Sequence, residues 1–106
     1  ILRARLIGRL DMMGTTQIED QFTFNVSTRK APVGVDLSDV DCMASIGMRM
    51  LVKNAKAVGR RGGKMGLFAP QPTVLEALQT AGIDVLIPVY EDWDVAAAEL
   101  IAAVDT

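Results

Sequence analysis

Histidine is absent from the 106 residues, and cysteine occurs once, at Cys42. Without histidine the chain lacks the usual general base and the commonest metal ligand, which excludes Ser-His-Asp, Cys-His and His-ligated zinc chemistry within it. A single thiol cannot close an internal disulfide, and the neighbours of Cys42 predict an inert, buried side chain. Basic excess is missing too: eleven Lys and Arg against thirteen Asp and Glu leave a formal charge of −2. No basic field is therefore available to hold a nucleic-acid backbone against salt. The longest apolar stretches, such as Val95 to Val104, carry a charge or are too short to cross a hydrocarbon layer of about 30 Å. Neither a membrane span nor a signal peptide is expected.

What is present is apolar material: half of the residues are hydrophobic. That suffices for one core, and the length is too small for two ordinary domains, so residues 1–106 are read as a single domain. Leu2, Ala4 and Leu6 alternate with Arg3 and Arg5, which predicts a strand running into a turn at Gly8-Arg9-Leu10-Asp11. Ile18, Phe22 and Val26 recur every four residues, predicting a helix from Thr15 to Ser27 with Thr15 or Thr16 as its cap. Val33 to Leu37 reads as a short buried strand after Pro32. Ser45 precedes a helical segment from Ile46 to about Arg60, closed by Gly62-Gly63.

Met65-Gly66-Leu67-Phe68 suits another buried strand, and Pro70 to Thr73 starts a helix that Gly82 ends. Val85-Leu86-Ile87 with Val89-Tyr90 predicts a last strand, placed at a sheet edge by Pro88. Asp92 or Asp94 caps a final alanine-rich helix through Val104. This alternation of strands and helices with short connections implies an α/β fold with a largely parallel sheet covered by helices.

The segment Asp36-Leu37-Ser38-Asp39-Val40-Asp41-Cys42-Met43-Ala44-Ser45-Ile46-Gly47-Met48 carries a strand to a helix start. It resembles the signature of the STAS family, in which Asp-Leu-Ser-x-Val leads through a turn into Asp-Ser-x-Gly-Leu. Gly8 to Asp11 resembles the family's Gly-x-Leu-Asp turn, and Gly62-Gly63-Lys64 its turn into the third strand. Val74 to Leu78 with Gly82-Ile83 resembles its third helix and exit, and Tyr90 to Asp92 with Ala96 to Ala98 its closing strand and helix. The resemblance covers nearly the whole chain and implies a STAS-like α/β fold: a predominantly parallel or mixed sheet of four to five strands with about four helices.

In function the resemblance implies an anti-sigma factor antagonist, a bacterial cytoplasmic regulator of transcription and not an enzyme. Ser45 stands at the phosphoacceptor position. The implied partners are an anti-sigma factor with serine protein kinase activity and a PP2C-type phosphatase, with no cofactor and no metal. Asp11, Asp41, Ile46, Gly47, Arg49, Met50 and Lys53 are the expected partner-binding residues. Ala44 replaces the acid usually found before the phosphoacceptor, and Ile46 the frequent second serine. The acceptor hydroxyl remains. Two other readings stay open: a STAS scaffold or transporter-associated module that is never phosphorylated, and a small-ligand or lipid-binding domain, which requires a deep apolar cavity.

The phosphoacceptor position that the resemblance implies for Ser45 is physically suited to a switch. A helix N-terminus offers unpaired N–H groups and the positive end of a dipole, so a phosphate of about −1.5 to −2 charge is tolerated there. Toward a docking partner the same charge adds desolvation cost and repulsion beside Asp11 and Asp41. Ser45 is expected to cap the helix in either case, contributing about 1 kcal/mol, and the plain alternative is that it does nothing more. Beyond it, Met48, Leu51, Ala55 and Val58 form a core stripe. Ile46, Met50 and Ala57 lie off that stripe among Arg49, Lys53 and Lys56, either as an adaptable docking patch or as a broad face packed under a neighbouring helix. Turn and cap roles are expected of Asp36, Asp39 and Asp41, and Trp93 beside Tyr90 is expected to close the last helix onto the core.

Overall fold

A computed structural model describes residues 1–28 and 32–104 of the chain. The alternation at the start forms strand β1, Leu2–Leu10, in which Leu6 and Leu10 are buried while Arg3, Arg5, Ile7 and Arg9 are exposed. Helix α1, Met12–Ser27, follows at once. It begins three residues before the expected threonine cap because Asp11 caps it, its Oδ1 accepting from Gly14 N at 2.9 Å. Thr15 is fully buried in the first turn, and its hydroxyl has no partner among the described residues.

Strand β2, Val33–Met43, is eleven residues long and continues through the segment expected to turn. It stays in the sheet because it pairs with β1 as far as Leu10 opposite Met43, and two register shifts absorb its surplus residues. The first lies where Arg5 faces Asp36 and Ile7 faces Asp39. Such bulges keep a strand paired while re-aiming its side chains. Asp36 still makes a local Asx-type turn, its Oδ1 accepting from Ser38 N at 2.9 Å and from the Ser38 hydroxyl at 2.7 Å.

Helix α2, Ser45–Arg60, strand β3, Met65–Phe68, and helix α3, Pro72–Thr80, follow close to the expected bounds. The last strand does not. Gly82 turns the chain with φ 74°, and Ile83–Leu86 forms a short helix, α4, leaving Val85 and Leu86 84% and 62% exposed. Of the expected last strand, Val89–Tyr90, β4, alone joins the sheet, pairing with β3 at the edge that Pro88 indicated. Helix α5, Trp93–Val104, starts with Val95 N donating to Asp92 Oδ1 at 2.9 Å.

The sheet is four-stranded and parallel, in the order β1-β2-β3-β4. The main core gathers Val33, Val35, Leu37 and Leu67 of the sheet with Phe22 and Val26 of α1, Leu51 and Val58 of α2, and Val74 and Leu78 of α3. A smaller cluster of Phe68, Ala96 and Leu100 seats α5 against Gly34 and Gly66, where an added Cβ would lie 3.0 Å from the Trp93 ring and 2.8 Å from the Tyr90 ring. Trp93 closes the last helix as expected, 5.3 Å from the Phe68 ring. No helix among the described residues is long and apolar enough to cross a membrane.

Candidate functional site at the start of helix α2

The site is built where two strands end together. Ala44, the residue after β2, is extended (φ −92°, ψ 168°) and donates its N–H to the carbonyl of Leu10, the last residue of β1, at 3.0 Å. Asp11 follows Leu10 and Ser45 follows Ala44, so the starts of α1 and α2 lie beside one another at the carboxyl ends of the strands. In open α/β sheets ligands bind beyond the carboxyl ends of the strands.

Ser45 is exposed and is the first helical residue of α2. The expectation that it caps the helix is corrected: the N-cap is Ala44, whose methyl group accepts no hydrogen bond. Met48 N reaches the Ala44 carbonyl at 3.1 Å, but the N–H groups of the first turn receive no side-chain cap. The first turn also contains no acid. The result is an exposed hydroxyl at the positive end of a sixteen-residue helix with open donors.

The other expected site residues divide between surface and interior. Asp11 caps α1 and takes Arg9 Nε at 3.2 Å. The Gly14 N–H foremost, aided by Arg9, holds its carboxyl below the usual carboxylate range. Asp41, Arg49 and Lys53 are exposed and Ile46 is half-buried. Gly47 and Met50 are not surface groups. Met50 is 1% exposed, and a Cβ at Gly47 would lie 2.8 Å from Leu10 Cβ and 2.9 Å from its carbonyl oxygen. α2 is buried against the sheet and against α1 at once, so its inward arc is wider than a simple stripe, and the docking-patch reading fails at Met50. Asn54 belongs to the same arc: it is 1% exposed, and its Nδ2 donates to the Met50 carbonyl at 2.8 Å and to Thr23 Oγ1 of α1 at 3.2 Å.

Around the site, Cys42 is half-buried instead of sealed in the core. Asp39 is ion-paired to Arg5, whose Nε lies 2.7 Å from Asp39 Oδ2, a partnership that no turn role anticipated. Gln71 Nε2 donates to the Ser38 carbonyl at 3.0 Å and ties the entry of α3 to β2. An open groove of about 510 Å³ runs from Ser45 along α2 to Ile83. Sequence reasoning missed its far members, Val52, Arg60 and Ile83; only the spacing of the cations along α2 gave a signal.

The STAS domain profile matches residues 1–96. An anti-sigma F factor antagonist of Paenibacillus polymyxa is 25% identical over 93 residues, spanning 87% of this chain and 80% of that protein. The solved structure of an anti-sigma-factor antagonist (STAS) domain protein from Planctomyces limnophilus superposes with a TM-score of 0.75 at 27% identity, covering 90% of this chain and 80% of that one. The STAS domain of a SulP transporter from Vibrio cholerae superposes with a TM-score of 0.77 at 18% identity, covering 98% of this chain and 83% of that one. The profile match takes in every strand, the α2 start and the beginning of α5, and on that ground the chain belongs to the STAS domain family.

Proposed function

We propose that the protein is a cytoplasmic anti-sigma factor antagonist that works by partner switching at Ser45. Unmodified, it binds an anti-sigma factor with serine kinase activity and frees a sigma factor; phosphorylated on Ser45, it releases that partner until a PP2C-type phosphatase restores it. STAS domains are typically non-catalytic regulatory modules, and in this reading Ser45 is a substrate residue and not a catalyst.

The observation that carries the proposal is the exposed Ser45 hydroxyl on the uncapped first turn of α2. A phosphate there meets open N–H groups, so the fold accepts it, while Asp11 and Asp41 add like charge to the docking surface. Asp11, Asp41, Ile46, Arg49 and Lys53 are the proposed contacts. A second reading, a constitutive module in a signalling complex or attached to a transporter, is favoured by Ala44, which gives a kinase no acid beside the hydroxyl, and by the likeness to a SulP transporter domain.

The test is a titration of the kinase-type anti-sigma factor with wild type, Ser45→Ala and Ser45→Asp. The alanine variant retains affinity and the aspartate variant loses about a hundredfold, equivalent to about 2.8 kcal/mol. Equal affinities for all three remove the switch, and mass spectrometry showing no phosphate on Ser45 after incubation with ATP and the kinase leaves the constitutive module.

A further inference from the structure

The groove between α2 and the α3–α4 corner begins at Ser45 and shares Arg49 and Lys53 with the contacts proposed above, but it continues past them to Lys56, Arg60 and Ile83. Arg49, Lys53, Lys56 and Arg60 stand at spacings of four, three and four along α2, so they form one stripe, and all four are exposed and line the groove. None of its lining residues is acidic. Among the described residues the ion pairs belong to Arg3, Arg5 and Arg9 of β1, and none reaches this stripe. A chain of net charge −2 thus gathers four unpaired cations on one groove. Like charges at these spacings repel along a helix, and an anionic neighbour relieves them.

The floor is of the other kind. Met48 from α2 and Ile83 from α4 are buried and Val52 of α2 between them is half-buried, all three apolar, so the occupant that fits offers an apolar stripe as well as negative charge. The basic stripe belongs to a helix of sixteen residues, about 24 Å long at 1.5 Å per residue. An open trough alongside it suits a rod rather than an enclosed small molecule. An extended strand gains nothing there, because the sides of a helix present no free backbone donors or acceptors.

We propose that this groove seats an acidic amphipathic helix of a partner protein, its apolar stripe on Met48, Val52 and Ile83 and its carboxylates along Arg49, Lys53, Lys56 and Arg60. The site goes beyond the switch contacts, since Val52, Lys56, Arg60 and Ile83 have no part in them, and it is proposed for the unmodified protein.

The test uses unmodified protein and a fluorescein-labelled synthetic helix of about four turns with leucines at i, i+3, i+4 and i+7 and glutamates on the flanks. Its controls are the same peptide with lysines for glutamates and a scrambled peptide of equal composition. The glutamate peptide binds saturably, and the exposed double substitution Lys53→Glu/Lys56→Glu weakens it at least about tenfold while strengthening the lysine peptide. Amide shifts on binding fall on Ser45–Arg60 and Ala81–Ile83, and circular dichroism shows the variant folded. Equal binding of the three peptides overturns the proposal, as does no saturable binding at millimolar peptide, or shifts confined to another face. Lys53- and Lys56-dependent binding to phosphatidylglycerol vesicles without peptide binding overturns it in favour of a membrane surface. The Ser45 titration is read separately, so either result can fail alone.

Discussion

At the scale of single residues, the most consequential is Ala44, because it leaves vacant the cap that a polar residue would fill. Its extended backbone is the conformation an N-cap takes, and only the side-chain oxygen is missing. Ala44→Asp therefore supplies about 1 kcal/mol of capping, reinforced by the dipole. For a domain of this size that is a rise in Tm of about 4–8 °C. Thermal denaturation followed by circular dichroism checks it; an unchanged or lower Tm shows that the first-turn N–H groups were already satisfied. The same substitution occupies the donors that a phosphate on Ser45 would otherwise meet, so a vacant cap keeps the site open at the expense of stability. The sequence points to Ser45 as the cap because capping is read from residue type, and alanine at that position has no signature. The error is one residue, yet it decides whether the hydroxyl is engaged or free.

At the scale of elements, α2 shows how one helix answers to two neighbours. Gly47 presses its N-terminal turn onto the end of β1, whereas Gly59, near its C-terminus, has nothing within 4 Å of an added Cβ. The two glycines should respond to alanine with opposite signs. Gly47→Ala forces Leu10 or the helix to move, and overpacking of about 1–3 kcal/mol exceeds the helix-propensity gain of about 1 kcal/mol. Gly59→Ala keeps the gain without the clash and stabilises by about 0.5–1 kcal/mol. Urea unfolding of the two variants checks this, and a Gly47→Ala midpoint at or above wild type contradicts the close seating of α2 on β1. Element identity was legible wherever apolar spacing was sustained, as in α2 or β3. It was not legible where tertiary pairing overrode local signals: β2 runs on through Ser38-Asp39 because β1 offers a partner, and Val85-Leu86, apolar and β-prone, coils into α4 because Gly82 turns the chain first. Asn54 reaches Thr23 of α1 and Met50, one turn before it, is buried, and a one-stripe reading of α2 has no means of anticipating a second packed side.

At the scale of the whole molecule, Asp36 is the point where separate layers are joined. It is 4% exposed. Its Oδ2 receives Arg3 of β1 at 3.4 Å, and the Arg3 guanidinium lies 5.4 Å from the Phe68 ring centre of β3 and 5.0 Å from that of Trp93 in α5. One carboxylate thus anchors an arginine that spans from the edge strand to the last helix, with cation–π contacts on the way. Burial opposes the charge on Asp36, but the Ser38 hydroxyl and N–H together with Arg3 outweigh it and hold the carboxyl below its ordinary value. A group with a depressed folded pKa binds fewer protons in the native state than in the unfolded one. Its stabilisation is complete above the unfolded value of about 3.9 and is lost as pH falls through the folded value. Asp36→Asn removes the charge and leaves Arg3 without its anion, a loss of about 1–3 kcal/mol at neutral pH. Because the loss belongs to the ionised form, the gap between wild type and variant should narrow as pH drops below about 4. Urea unfolding of both proteins between about pH 7 and about pH 3 measures that gap, with Asp11, also depressed, adding the same slope to both. A gap that stays constant with pH would mean that Asp36 holds the layers together through shape and neutral hydrogen bonds alone, and that Arg3 rests on its aromatic neighbours without help from the carboxylate.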